Sequence, residues 1–143
     1  MSLKTEIRDL LANDATIQAH LTGGVYALVE IKRSDEECAA AFDEETDEIL
    51  PCANVRVTTV NPFGPHDETQ EAFFSIYYYQ YRAGGNDAVL VAATRARQLL
   101  HRQRVTGTTQ IFHVTSNPDL DDPTLEASLH IDRYRAIRSL PLA

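Results

Sequence analysis

Residues 73–102 constrain the fold more than any other stretch, because an aromatic strand with no polar face has to be covered on both sides. Phe73-Phe74-Ser75-Ile76-Tyr77-Tyr78-Tyr79-Gln80-Tyr81 is dense in β-favouring side chains and offers water no face of its own. The Gly84-Gly85-Asn86-Asp87 turn follows, with Asn86 placed to cap a helix. In that helix Val89, Leu90, Ala92, Ala93, Ala96, Leu99 and Leu100 recur at the three-and-four spacing of a buried stripe. Thr94, Arg95, Arg97, Gln98, His101 and Arg102 share the opposite face. The unit carries no evident chemistry and reads as part of an assembly.

Its surroundings fit one domain over residues 1–143, a length that supports one real core and not two. No apolar run approaches the ~18 residues of a membrane span, and Met1-Ser2-Leu3-Lys4-Thr5-Glu6 lacks the apolar centre of a secretory signal. Cys38 and Cys52 form no CxxC pair and read as free thiols of a reducing compartment, with a disulfide between them as the alternative. The charge is unevenly placed. Asp35, Glu36, Glu37, Asp43, Glu44, Glu45, Asp47 and Glu48 lie within 34–48 with no base among them, so the net charge of -8 belongs to one acidic insert at 34–50. The bases are 11 Arg against Lys4 and Lys32 alone, a bias that suits planar multi-donor contacts at protein interfaces. So acidic a chain is not a tight nucleic-acid binder.

Ser2 can cap a first helix through Leu3, Ile7, Leu10 and Leu11, interrupted at Asn13-Asp14. A short second helix carries Ile17 and Leu21 to the Gly23-Gly24 stop. A strand is expected over 25–29. Ser34 and Glu37 make a capping box, and Cys38, Ala41 and Phe42 give a narrow stripe, so the insert reads as a helix that frays toward Pro51 or as a solvated loop. Strands are expected over 53–60, 73–81 and 108–115, with loops at 61–67 and 116–123. In the last strand, from 125 to about 137, Leu125, Ala127, Leu129 and Ile131 alternate with Glu126, Ser128, His130 and Asp132, which predicts a wetter face. The order α-α-β-β-β-α-β-β implies an α+β fold, with helices on one face of a mostly antiparallel sheet of four to five strands.

Candidate chemistry is thin. His113 and His130 fall on successive strands and could begin a metal site, but a third ligand is missing and ordinary surface histidines explain them. His20, His66 and His101 show no paired spacing. Asn117-Pro118-Asp119-Leu120-Asp121-Asp122 imitates a calcium loop and fails where glycine and the closing glutamate belong, at Asp122 and Ser128. Cys38 sits among carboxylates that disfavour its thiolate. No nucleophile elbow, phosphate loop or dinucleotide fingerprint occurs. The tyrosine run lacks the basic groove of a base-stacking platform, and reads as sheet core on one face and subunit interface on the other. No catalytic, cofactor or metal residue is assigned. The candidate interface residues are Asp43, Glu44, Glu45, Asp47 and Glu48 in the insert, and Arg95, Arg97 and Arg102 on the helix.

These elements in this order resemble the tail-terminator (tail-completion) proteins of long-tailed bacteriophages and prophage tails. The likeness rests on Leu10-Leu11-Ala12-Asn13-Asp14-Ala15-Thr16-Ile17, on Gly23-Gly24-Val25-Tyr26, and on the strands at 55–60 and 73–81. The alanine-rich helix at 88–100 and the final Ile131-Asp132-Arg133-Tyr134-Arg135 complete it. The acidic insert is longer than that pattern. The resemblance implies a ring, a hexamer, on the head-proximal end of a finished tail tube, which ends polymerisation and joins tail to head. Its implied partners are other copies of itself, the tail-tube protein and the head–tail connector, with no enzymatic activity, cofactor, membrane or specific nucleic-acid binding, although DNA passes through. Its implied place is the virion, after synthesis in the host cytoplasm. A head-completion or connector protein remains open, as does a small cytosolic hydrolase or ligand-binding domain.

Overall fold

The computed structural model describes residues 2–62, 69–104 and 109–139. The Ser2 side chain accepts a hydrogen bond from the Thr5 amide and starts α1, Leu3–Ala12, which buries Leu3, Ile7 and Leu11 and half-buries Leu10. Asn13 closes α1, and the Asp14 carboxylate caps α2, Ala15–His20, through the Ile17 amide. Gly24, at φ 97°, makes the turn into β1, a conformation that a Cβ would strain.

Five strands form one sheet in the order β1-β2-β3-β5-β4, with β1 Val25–Tyr26, β2 Cys52–Pro62, β3 Thr69–Tyr81, β4 Gln110–Asp122 and β5 Ala127–Ser139. β1 runs parallel to β2 and every other neighbour pair is antiparallel, so the α+β expectation holds. β1 is shorter than the expected 25–29 because a side chain replaces the ladder beyond Tyr26. Asn54 accepts from the Leu28 amide at 2.8 Å and donates to its carbonyl at 3.0 Å.

The helix α3, Asp87–Leu100, joins β3 to β4 and lies with α1 and α2 on one face of the sheet. There Ala53, Val55, Phe74, Ile76, Tyr78, Ile111, Tyr134 and Ala136 meet Ile7, Leu11, Ile17, Val89, Ala92, Ala96 and Leu100. The Phe74 and Tyr134 rings stack at 5.2 Å. The α3 stripe is narrower than its sequence suggests: Leu90 is exposed and Leu99 only half-buried. Asn86 holds the cap position without a side-chain capping bond, and Gln80 Oε1 accepts from the Val89 amide instead.

Three further expectations change. β4 does not stop at 115 but runs to Asp122, so most of the expected 116–123 loop is ladder. Irregularities at His113/Thr115 and Asn117/Leu120 let the strand carry Pro118 and a positive-φ Asp119. Asn61 and Pro62 extend β2, whereas the rest of that expected loop, His66 included, and Thr108 lie outside the described residues. β5 begins at Ala127, and its alternation is inverted: His130, Asp132, Tyr134 and Ala136 are buried on the helix side.

The residues expected to face the core, Ala127, Leu129 and Ile131, point to the other side. At that end the acidic insert folds over them as a lobe with a core of its own: Ile31, Cys38, Ala41, Phe42, Ile49, Cys52, Tyr79, Leu125 and Ala127. The lobe opens with a 3-10 helix, Glu36–Ala41, capped by Asp35 and not Ser34. It then pairs Phe42 with Ile49 across a tight turn in which Asp43 Oδ1 accepts from the Glu45 and Thr46 amides. Tyr77, Tyr79 and Tyr81 therefore pack against the chain's own lobe. Among the described residues no helix is long and apolar enough to cross a membrane.

Candidate functional site

Two groups of side chains carry most of the polar organisation. The first lies beneath α3. Neighbouring strands β4 and β5 bring Ser116 opposite Asp132 and His113 opposite Tyr134. The Ser116 hydroxyl donates to Asp132 Oδ1 at 2.6 Å, and His130 Nε2 donates to the same oxygen at 2.8 Å. From α3, Arg97 donates to the Ser116 oxygen at 3.2 Å and lies 3.7 Å from Asp132 Oδ2. His113 Nε2, 2.9 Å from the same hydroxyl, donates its hydrogen there, and the His113 amide donates to His101 Nδ1.

His113 and His130 are thus not surface histidines but parts of a half-sunken network. Burial opposes the charge of Asp132, yet the hydrogen bonds from His130 and Ser116, with the charges of His130 and Arg97, hold its carboxyl below the usual range. Burial, and then Arg97, push His113 the opposite way for its charged form, so its pKa also lies below the ordinary value.

Serine, histidine and aspartate together invite a catalytic reading, and the geometry rejects it. A serine nucleophile needs its carboxylate at the far nitrogen of the base, with the hydroxyl hydrogen on the base. Here the carboxylate takes the serine hydrogen itself, and both lone pairs of Ser116 receive donors, from Arg97 and His113. The group is a brace that fastens α3 to β4 and β5. Among the described residues no three His, Cys, Asp or Glu side chains gather to hold a metal. Sequence reasoning missed Ser116 and the buried carboxylate. The signal was present in Tyr134 and Ala136, which share the phase of His130 and Asp132 and would have marked that phase as the inner one.

The second group comprises the expected interface residues. Asp43, Glu44, Glu45, Asp47 and Glu48 come together in the turn of the acidic lobe. Backbone hydrogen bonds from Thr46 and Glu45 lower the Asp43 pKa. Arg33 braces the lobe from beneath, 5.0 Å from the Phe42 ring centre, ion-paired with Asp47 at 3.2 Å and donating to the Leu125 carbonyl at 3.1 Å.

The helix arginines are not brought to the lobe; they lie on the opposite side of the sheet. Arg95 clasps Asp14 at 3.0 Å, an interaction that lowers the Asp14 pKa, and Arg97 turns inward to the brace. Arg102 is exposed just past the helix at φ 60°. The outer surface of α3 is mixed: Leu90 and Val91, exposed by 37% and 42%, line a hollow of about 460 Å³ with Thr16, Thr94, Arg95 and Gln98. Cys38 and Cys52 are free and buried in the lobe core, and burial raises the Cys52 pKa.

No known family profile matches the chain, and no curated protein matches it. A chain of a solved structure described as "Virion of native gene transfer agent (GTA) particle" is similar in fold, with a TM-score of 0.64. The two are 13% identical, over 96% of this chain and 95% of that one.

Proposed function

We propose that the protein is a structural subunit of a phage-like virion, without enzymatic activity, that assembles as a ring and ends the tail at its head-proximal face. The observation that carries this reading is the match to a virion chain over nearly the whole length of both. The order of elements resembles tail terminators, and in the polar cluster most like an active site the Ser116 hydroxyl has its hydrogen and both lone pairs engaged. A closed ring needs two different complementary patches on each subunit. The fold supplies candidates on opposite layers: the acidic lobe with Asp43, Glu44, Glu45, Asp47 and Glu48, and the outer surface of α3 with Leu90, Val91, Arg95 and Arg102. Arg97 contributes from behind, by holding α3 in place.

Native mass spectrometry and negative-stain microscopy, on the protein alone and with purified tail tubes, test the reading. The expected outcome is a closed ring, a hexamer, seated on tube ends and halting further growth of the tube. A strictly monomeric species under both conditions overturns it. Binding to portal or adaptor rings in place of tube ends would assign the protein to the connector.

A further inference from the structure

The sheet face turned away from the helices is only half covered. The acidic lobe sits over the Tyr79 and Leu129 end. At the other end the strands place Arg56, Ser75, Arg133 and Thr115 in one cross-strand row and Thr59, Phe73, Arg135 and Phe112 in the next. The Arg133 guanidinium lies 4.5 Å from the centre of the Phe73 ring, and that of Arg56 lies 5.7 Å from the Tyr77 ring. Arg135 is ion-paired with Glu71 at 2.6 Å. Arg56 and Arg133 are exposed, and among the described residues neither has a carboxylate within ion-pairing distance. Stacking on the rings holds both guanidiniums in fixed places, so less freedom is lost when an anion arrives.

The lobe has the opposite imbalance. Of its eight carboxylates, only Asp47 is ion-paired among the described residues, with Arg33. Cys38, Phe42 and Ile49 anchor the lobe over the other end of the face, and among the described residues none of its carboxylates is ion-paired with the row in its own chain. Each copy therefore presents a cationic row and an anionic turn that its own fold leaves unpaired among the described residues, and a second copy can bring the two together.

We infer that the row formed by Arg56 and Arg133 is the docking site for the acidic turn, Asp43 to Glu48, of a second copy of this chain. The inference rests on the ring reading and sharpens it, because it names the cationic patch as the open sheet face and not the α3 surface. The contact joins two different patches, as ring closure requires. Both lie at the solvent-facing surface, so their attraction is sensitive to salt.

A charge-exchange experiment tests it. Arg56→Glu/Arg133→Glu and Glu44→Lys/Glu45→Lys variants of the full chain, the second sparing the Asp43 side chain that holds the turn, are each analysed for self-association at low salt, then mixed in equal amounts. Each variant alone should associate about tenfold more weakly than the unaltered protein or worse, and the mixture should recover association through alternating copies. Arg56→Gln/Arg133→Gln, the milder change, should weaken association at an unchanged melting temperature, which separates docking from folding. Unaltered self-association of the arginine variants, or no recovery on mixing, overturns this inference while leaving the ring reading intact. An unaltered protein that is monomeric with and without tail tubes removes both. Loss of single-stranded oligonucleotide binding in the Gln pair, with self-association unchanged, would assign the row to nucleic acid and overturn the inference as well.

Discussion

Asp132 is a carboxylate that the fold buries completely, and its neighbours determine whether that is tolerable. Removing one partner of a buried, hydrogen-bonded charge cluster leaves the remaining groups unpaired, so Asp132→Ala should cost about 3–5 kcal/mol in urea unfolding. The same network sets an acid limit. Asp132 and His113 both have folded-state pKa values below their ordinary ones, so as pH falls the unfolded chain takes up protons first. Stability should be fully present above the ordinary histidine value of 6.5 and decline below it as His113 titrates. It should decline again below 3.8, where Asp132 and Asp14 follow. His113→Gln should flatten the upper part of that profile in pH-dependent melting, and an unchanged profile would exclude His113 as its source. Leu100 and Leu99 make a simpler comparison. Leu100→Ala should cost about 2–5 kcal/mol, whereas half-buried Leu99→Ala should cost less than Leu100→Ala by more than about 1 kcal/mol.

Among the elements, the acidic lobe departs most from what its composition suggests. Eight carboxylates in a short run describe a solvated loop, yet Cys38, Ala41, Phe42 and Ile49 give it an apolar underside. Phe42→Ala should release the lobe without melting the sheet. Hydrogen exchange should accelerate at the Asp43 and Leu50 amides, which now bond the Glu48 and Ala41 carbonyls, while β3 and β5 stay protected. Acceleration throughout the sheet would mean that the lobe is integral to the main core. α1, α2, β3 and α3 were legible from apolar spacing and aromatic density, with side-chain caps at α1 and α2 but not the one expected of Asn86 at α3. β4 was not, since Asn117-Pro118-Asp119 is turn chemistry that a strand can hold only at an irregularity in its ladder. The lobe's second core was hidden for a different reason: its partners Tyr79, Leu125 and Ala127 are distant in sequence, and no local pattern joins them to it. Nor did the surplus of arginine show which side chains are already paired, and Arg95 and Arg97 are.

For the whole molecule, acid concentrated on one layer of the sheet makes the proposed assembly a question of ionic strength. Replacing Asp43, Glu44, Glu45, Asp47 and Glu48 with their amides should weaken self-association and flatten its salt dependence, as measured by sedimentation across a salt series. Normal rings that acquire DNA affinity would instead make the lobe a channel lining. The sheet order also has a consequence for the newly made chain. β3 pairs with β2, which precedes it, and with β5, whose last residue emerges well after β3 is complete. At translation rates of about 5–20 residues per second, the tyrosine-rich strand waits for its second neighbour for on the order of several seconds. During that interval one edge of an apolar strand is open inside a cell that is making many identical copies. Yield should therefore respond to chaperone supply and growth temperature more sharply than the finished protein's stability would suggest.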